Sequence, residues 1–241
     1  MYGMQRKTAA IIVAGGDSTR MGELSKQFIK LCGKEVILRT ALAFQHTECI
    51  DEIIVVCREQ DDEKMRALLT ARQVPKLKGL VRGGATRQQS VQNGISLVSG
   101  DTGYIAVHDG ARPLVTEELI TRTVENAHRY GASAPGVPVK DTIKTVASDG
   151  MITGTPNRSS LYAIQTPQVF EKNLYLRAME AANTIGAGYT DDCALVEAAD
   201  HPVYVTQGEY TNLKITTPDD IPAAQAIIMQ REKNGKGGFG G

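Results

Sequence analysis

The sequence predicts an α/β fold in which helices cover both faces of a mostly parallel sheet. Short apolar runs such as "AAIIVA" and "EIIVVC" alternate with segments that have helical spacing. These runs are apolar throughout, which is typical of strands buried on both faces. Glycine-rich and polar residues follow several of them, as they do at the strand ends of doubly wound sheets. We therefore expect a Rossmann-like, doubly wound domain.

The first half of the chain reads as four strand–helix units. The last of these helices begins at Thr116, a preferred N-cap residue, and Glu117 and Glu118 in its first turn suit the helix dipole. The units are, in order, "AAIIVA" with "EVILRTALAFQH", "EIIVVC" with "DDEKMRALLTARQ", "KGLVRGG" with "TRQQSVQNGISLV", and "YIAVHD" with "TEELITRTVENAHRYG".

Residues 138–160, here called the arm, interrupt this alternation. "TIKTVA" and "MITGT" alternate apolar and polar residues around "SDG", which predicts a β-hairpin. A lone hairpin has too little apolar surface to be stable in water, so it must pack on something. A partner subunit is one candidate. We expect residues 1–233 to form a single domain that carries this arm.

The alternation resumes after the arm. The last helix is expected to begin at Thr217, with Pro218 in its first turn. The glycine-rich residues 234–241 predict a disordered tail. The intervening segments are the strand "YAIQTPQVF", the helices "EKNLYLRAMEAANTIG" and "DDCALVEAA", and the strands "VYVTQG" and "NLKIT".

Composition excludes several classes of protein. Lys plus Arg equals Asp plus Glu at 27 each, which argues against nonspecific nucleic-acid binding. No run of 18 apolar residues predicts a membrane span, and the short apolar stretch near the N-terminus reads as the first strand. The four cysteines form no CxxC pair, so we expect no zinc site, a reducing compartment and a cytoplasmic protein.

Four polar clusters follow predicted strands, and a parallel sheet brings such loops to one edge. The first contains Gly15 and Gly16, whose backbone suits close approach of a phosphate, together with Arg20 and Lys26. A glycine turn with two solvated cations remains the alternative. The others are Gly83–Ser90, His108–Arg112 and Lys214.

The second and third clusters also have two readings each. Gly83–Ser90 leads into a helix whose N-terminus would bind an anion or a base edge, or it is an ordinary strand–helix connection. Asp109 follows a strand and would support Mg²⁺ or a ribose hydroxyl, or it only forms a turn with Gly110. We interpret His108 as a packed residue rather than a base.

Seven motifs occur in order over roughly residues 8–230. Together they resemble the 2-C-methyl-D-erythritol 4-phosphate cytidylyltransferase family, with the sister ribitol 5-phosphate cytidylyltransferases as the alternative. From a different class, a nonenzymatic nucleotide-binding module is also considered. The motifs are "AGG…TRMG…KQ", "GGATRQQSV", "VHDGARP", "VPVKDTIK", "RSSLYAIQTPQVF", "YTDDCALVE" and "YTNLKITTPDD".

The resemblance implies a nucleotidyltransferase that uses CTP, methylerythritol phosphate and Mg²⁺ or another divalent cation, and a homodimer that exchanges its arms. Asp109 is the one side chain considered as a metal ligand, although the CTP phosphates would hold most of the metal. Two departures stand out: Asp17 or Ser18 replaces a family glycine, and Ala85 replaces a frequent Asp. The implied catalytic residues are Arg20, Lys26 and Lys214. The implied CTP site is Ala14, Gly15, Gly16, Gly84, Ala85, Arg87, Ser90, Asp109 and Gly110. The implied acceptor site is Asp109, Arg112, Thr142, Arg158, Thr190 and Lys214.

Overall fold

The computed structural model describes residues 7–16, 25–72, 74–185, 188–189 and 191–235. Within them the strands are, in chain order, β1 (Lys7–Val13), β2 (Lys30–Leu31), β3 (Lys34–Glu35), β4 (Glu52–Cys57), β5 (Leu77–Arg82), β6 (Thr102–Asp109), β7 (Ala132–Pro138), β8 (Thr145–Val146), β9 (Ile152–Gly154), β10 (Tyr162–Ile164), β11 (Gln168–Glu171) and β12 (Tyr204–Gln207). The α-helices are α1 (Val36–His46), α2 (Asp62–Ala71), α3 (Arg87–Ile95), α4 (Glu117–Tyr130), α5 (Lys172–Ile185), α6 (Asp192–Glu197) and α7 (Asp220–Lys233).

An eight-stranded sheet forms the centre of the molecule, in the order β10-β7-β11-β6-β1-β4-β5, with β12 paired to β7. Strand β1 lies parallel to β4 and β6, β4 is parallel to β5, and β12 is parallel to β7. Strands β10 and β11 run antiparallel to their neighbours. The predicted doubly wound, mostly parallel fold is therefore confirmed.

Strand β1 contributes to the hydrophobic clusters on both faces of the sheet, which explains the apolar run from Ala9 to Val13. Ala10 and Ile12 belong to the cluster that includes α1, whereas Ile11 belongs to the opposite cluster with Tyr175 of α5. Because successive strand residues point to opposite faces, a strand covered on both sides needs apolar residues at every position.

Helix α3 packs unusually closely on the sheet because it carries Gly94. A Cβ at this position would lie 2.6 Å from Cγ2 of Ile11 and 3.1 Å from Cγ2 of Val56. The absence of a side chain lets the helix backbone approach β1 and β4, and this places the N-terminus of α3 at the edge where those strands end.

The predicted cap of α4 is confirmed, whereas two expectations near the C-terminus are wrong. Thr116 Oγ1 accepts the Leu119 N–H at 3.1 Å. "NLKIT" forms no strand in the described residues, because the Ile215 N–H donates at 2.8 Å to the Ala111 carbonyl of a loop. Helix α7 begins at Asp220 rather than Thr217, and the Asp220 carboxylate accepts the Thr217 N–H at 2.7 Å.

The arm contains the predicted hairpin, since β8 and β9 pair antiparallel. Four of its large apolar side chains, Ile143, Val146, Met151 and Ile152, are 40–61% exposed in the single chain. Helix α7 ends at Lys233, and residues 236–241 of the predicted disordered tail lie outside the described residues.

Two further expectations concern cysteines and membrane spans. All four cysteines are free thiols, and Cys57 and Cys193 are buried. Burial raises the pKa of the Cys57 thiol to about 11, so this side chain remains an uncharged, packed thiol at neutral pH. Among the described helices, none is both long and apolar enough to cross a bilayer.

Candidate active site

Hydrogen bonds between neighbouring strand ends bring the predicted polar clusters together. The Gly110 N–H donates to the Val13 carbonyl at 2.9 Å, and the Ala14 N–H donates to the Val56 carbonyl at 2.7 Å. Gly15 lies against the next loop, because a Cβ there would be 3.7 Å from the Cα of Gly83. The loops after β1, β5 and β6 therefore meet at one edge of the sheet, as predicted.

The turn after β6 packs tightly on the segment that follows the first glycine loop. A Cβ at Gly110 would lie 3.1 Å from both Ala14 Cβ and the Gln27 side-chain oxygen, so a larger residue would force these neighbours to shift. Gln27 belongs to a short 3₁₀ helix, Lys26–Phe28. That helix places Lys26 beside the same edge, whereas Arg20 lies outside the described residues.

Asp109 is the centre of a group of charges, here called the Asp109 cluster: Asp109, Arg87, Arg112 and Lys214. Its carboxylate lies 3.0 Å from Lys214 Nζ, 3.5 Å from Arg112 Nε and 3.6 Å from an Arg87 Nη. Burial disfavours the charged carboxylate, but Lys214, Arg87 and Arg112 outweigh this effect and hold the pKa of Asp109 well below its usual range. The carboxylate is therefore ionised at neutral pH.

Arg87 connects this cluster to a second buried carboxylate, that of Asp192 on α6. The Tyr175 hydroxyl donates to the other Asp192 oxygen at 2.6 Å. Burial and Asp192 raise the pKa of Tyr175 well above its ordinary value, so its hydroxyl remains a donor. Burial alone would lower the pKa of Arg87, but Asp192 and Asp109 raise it above normal, which keeps Arg87 charged.

Sequence reasoning did not name Asp192 as a functional residue. The signal that could have found it is the second carboxylate of "YTDDCALVE", because two adjacent acidic residues at a helix start need separate explanations. Asp191 caps α6 by accepting the Ala194 N–H at 3.0 Å. Asp192 does not cap the helix, and its carboxylate forms an ion pair with Arg87 instead.

The second glycine pair is held by side chains of α3. Ser90 Oγ accepts the Gly84 N–H at 3.0 Å and donates to the Thr86 carbonyl at 2.9 Å. The Ala85 N–H donates to the Gln89 side-chain oxygen at 3.0 Å. The loop therefore has a defined shape, and Ser90 shapes it from a buried position.

Two of the predicted acceptor-site residues do not join the Asp109 cluster of their own chain. Thr142 and Arg158 are exposed residues of the arm, and Arg158 Nη1 donates to the Lys140 carbonyl at 2.9 Å. No hydrogen bond or ion pair between described residues connects either side chain to the cluster. Thr190 lies outside the described residues.

His108 is a packed residue, as predicted. It is fully buried, with its ring centroid 4.8 Å from that of Phe44. Its Nδ1 lies 3.0 Å from Thr166 Oγ1, and its Nε2 lies 3.3 Å from the Arg112 carbonyl oxygen. Burial lowers the pKa of His108 to about 3, so the imidazole is neutral at neutral pH.

The described part of the chain holds no group of three or more His, Cys, Asp or Glu side chains that could bind a metal ion. Asp109 has three cationic groups within 3.6 Å. These cations would repel a divalent ion, so Asp109 fits poorly as a direct ligand, and no protein-built metal site is evident among these residues.

The site geometry agrees with the result of a family comparison. The model of the family described as IspD, 2-C-methyl-D-erythritol 4-phosphate cytidylyltransferase, matches residues 8–230, which include every described member of the site. The chain belongs to this family.

Individual relatives agree with this assignment. The chain is 46% identical over 224 residues to a 2-C-methyl-D-erythritol 4-phosphate cytidylyltransferase of Caldanaerobacter subterraneus, covering 92% of this chain and 99% of the relative. It is 43% identical to the enzyme of the same name from Desulforamulus reducens, covering 92% and 96%. The crystal structure of 4-diphosphocytidyl-2C-methyl-D-erythritol synthase from Anaerococcus prevotii superposes with a TM-score of 0.84 at 33% identity, covering 93% and 97%.

Proposed function

We propose that this chain transfers the cytidylyl group of CTP to 2-C-methyl-D-erythritol 4-phosphate. The products are 4-diphosphocytidyl-2-C-methyl-D-erythritol and pyrophosphate, in non-mevalonate isoprenoid biosynthesis. The observation that carries the proposal is the Asp109 cluster, which lies beside two glycine loops in a chain of the cytidylyltransferase family.

The reaction requires charge compensation more than proton transfer. A phosphate oxygen of the acceptor attacks the α-phosphorus, the bond from that phosphorus to the bridging oxygen breaks, and pyrophosphate leaves. The nucleophile is already an anion, so no general base is needed. Two anions must instead be brought together and aligned.

The charges of the site suit this task. Three cationic side chains, Arg87, Arg112 and Lys214, face two carboxylates, Asp109 and Asp192, which leaves one net positive charge (3 − 2 = +1) before the first loop is counted. Lysine suits a point charge on a moving phosphoryl oxygen, whereas arginine suits two-pronged capture of phosphate.

The roles that we propose are those implied by the family's motifs at the matching positions of this sequence. Ala14, Gly15, Gly16, Arg20 and Lys26 hold the triphosphate, with Lys26 and Arg20 stabilising charge during transfer. The cytosine and ribose of CTP are bound by Gly84, Ala85, Arg87, Ser90, Asp109 and Gly110. The acceptor is bound by Asp109, Arg112, Thr142, Arg158, Thr190 and Lys214. We propose that Mg²⁺ or another divalent cation arrives bound to CTP, and that the protein acts in the cytoplasm.

An acceptor panel tests this function. We expect pyrophosphate release from CTP with methylerythritol phosphate, and a lower kcat/KM with ribitol 5-phosphate. Lys214→Ala, which removes one cation of the Asp109 cluster, should greatly reduce turnover. A higher kcat/KM for ribitol 5-phosphate would assign the chain to the sister activity. CTP binding without pyrophosphate release from any acceptor would indicate a binding module.

We also propose a homodimer in which each arm serves the partner's site. Two observations support this: the arm exposes four large apolar side chains, and its Thr142 and Arg158 do not join the cluster of their own chain. A two-fold dimer would cover the apolar residues and deliver the polar ones to the partner.

Subunit mixing tests the arm exchange. Lys26→Ala chains and Arg158→Ala chains should each be nearly inactive alone. In a mixed dimer, the chain with intact Lys26 receives an intact arm, so one of two sites is restored. With half of the dimers mixed, activity should recover to about a quarter of wild type. No recovery despite demonstrated subunit exchange would mean that Arg158 serves its own chain.

A further inference from the structure

A closed ring of four hydrogen-bonded residues shares Arg112 with the Asp109 cluster. His108 Nε2 lies 3.3 Å from the Arg112 carbonyl, and Arg112 Nη1 donates at 2.8 Å to the Asn212 carbonyl. Asn212 Nδ2 donates at 3.0 Å to the Thr166 carbonyl, and Thr166 Oγ1 lies 3.0 Å from His108 Nδ1. We call His108, Arg112, Asn212 and Thr166 the His108 ring.

Only one assignment of protons satisfies this ring. A carbonyl oxygen can only accept, so His108 Nε2 must carry the proton that it donates to Arg112. His108 Nδ1 is then an acceptor, and the Thr166 hydroxyl must donate to it. The Asp109 N–H donates at 3.1 Å to the same hydroxyl oxygen, which uses the oxygen as an acceptor.

The ring joins three segments that are distant in sequence. These are the end of β6 with its following turn, the residues before β11, and the segment from Asn212 to Lys214. Asp109 is bonded to the ring through its backbone, and Lys214 lies two residues beyond Asn212. Lys214 Nζ and the Asp109 carboxylate are 3.0 Å apart, so the ring holds both ends of this contact.

We propose that His108 is a positioning residue: its two nitrogens hold Thr166 and Arg112 so that the Asp109 carboxylate keeps Lys214 Nζ in the position where it binds the acceptor phosphate. This inference rests on the proposed function. His108 is fully buried and cannot touch a substrate, so it acts through the residues it contacts. A displacement of about 1 Å in such a site can cost roughly 100-fold in rate.

Substitutions at His108 can separate the two halves of the ring. In His108→Gln the amide NH₂ can replace Nε2 as donor to Arg112, but nothing accepts from Thr166. In His108→Asn the side-chain oxygen can replace Nδ1 as acceptor, but the contact with Arg112 is lost. A second pair of variants tests the Thr166 hydroxyl, because Thr166→Val removes it and Thr166→Ser retains it.

A matched control distinguishes positioning from stability. Thr123 is another fully buried threonine, whose hydroxyl donates at 2.7 Å to the Leu119 carbonyl within α4. Thr123→Val removes the same atoms as Thr166→Val, and it does so away from the His108 ring. We expect it to lower thermal stability while leaving the kinetic constants of the folded enzyme within about threefold of wild type.

The experiment measures kcat and both KM values for wild type and variants, at a temperature where circular dichroism shows each to be folded. His108→Gln, His108→Asn and Thr166→Val should each lose about 10–100-fold in kcat/KM for methylerythritol phosphate. The KM for CTP should stay within about threefold of the wild-type value. Thr166→Ser, which keeps the hydroxyl, should recover most of the kcat/KM that Thr166→Val loses.

Wild-type kcat/KM in folded His108→Gln and His108→Asn overturns the inference, even if Thr166→Val fails to fold. Equal losses in Thr123→Val and Thr166→Val also overturn it, because they would indicate a general effect of lost stability. A wild-type protein that releases no pyrophosphate from CTP with any acceptor overturns the proposed function itself, and the inference with it.

Discussion

Acidification should destabilise this protein through His108, and a single substitution should remove the effect. Burial lowers the pKa of His108 from 6.5 to about 3 in the folded state. The charges that face the ring have opposing effects, since Asp109 raises this pKa whereas Arg112 and Arg87 lower it. The Phe44 ring on α1 contributes no charge to the packing around it.

The direction and size of the effect follow from proton linkage. Between pH 6.5 and about 3, the unfolded chain binds a proton at this position that the folded chain excludes. The stability due to neutral His108 is therefore fully present above pH 6.5 and is lost as the pH falls toward 3. The slope is about 1.4 kcal/mol per pH unit, so acidification from pH 6 to pH 4 should cost about 2–3 kcal/mol. Total stabilities of domains are about 5–15 kcal/mol, so the loss is measurable.

Urea denaturation at fixed protein concentration, followed by circular dichroism at pH 7, 6, 5 and 4, provides the assay. His108→Gln cannot titrate, so its free energy of unfolding should fall less steeply than that of wild type. Carboxylates titrate in both proteins and cancel in the difference. Parallel pH profiles for the two proteins would show that His108 takes up its proton in the folded state, and would refute the burial argument.

Three further substitutions give expected outcomes. Gly94→Ala should destabilise by up to about 2 kcal/mol, because overpacking against two buried methyl groups costs about 1–3 kcal/mol and the higher helix propensity of alanine returns about 1 kcal/mol. Urea denaturation should show no such loss for Gly100→Ala, where no atom lies within 4 Å. Asp192→Asn should cost about 3 kcal/mol because it leaves Arg87 with a weakened buried partner, and a loss below about 1 kcal/mol would contradict this reading of the pair. Lys26→Ala should reduce kcat by about 10²–10³-fold, with a smaller effect on the KM for CTP, and wild-type turnover would exclude its catalytic role.

Short sequence patterns correctly predicted two elements, the cap of α4 and the hairpin of the arm, because each depends only on residues close together in the chain. The cap at Thr116 depends on residues three positions apart, and the hairpin of the arm depends on a short turn between alternating segments. The prediction of a strand at "NLKIT" was wrong because the spacing of β-branched and apolar residues cannot by itself reveal which group a segment's backbone bonds to. Its Ile215 N–H bonds to the Ala111 carbonyl of a loop rather than to a strand.

The candidate site shows the same division. Glycine loops and polar residues after apolar runs predicted that Gly15, Gly84 and Asp109 would lie at one edge, since parallel strands bring their ends together. That argument predicts which edge of the sheet carries the site, but it does not predict which side chains there contact one another. The family resemblance implied that Arg87 belongs to the CTP site, but it did not reveal that Asp192 pairs with Arg87.

By itself the sequence determined the α/β class, the family and the edge of the sheet that carries the site, because apolar runs, glycine loops and ordered motifs are properties of neighbouring residues. The tertiary structure alone decided that Arg87 meets Asp192 across 105 positions and that His108 meets Thr166 across 58. Contacts of this kind depend on strand order and on which helix covers which face. Those choices minimise the free energy of the whole chain, so no short segment contains the information that determines them.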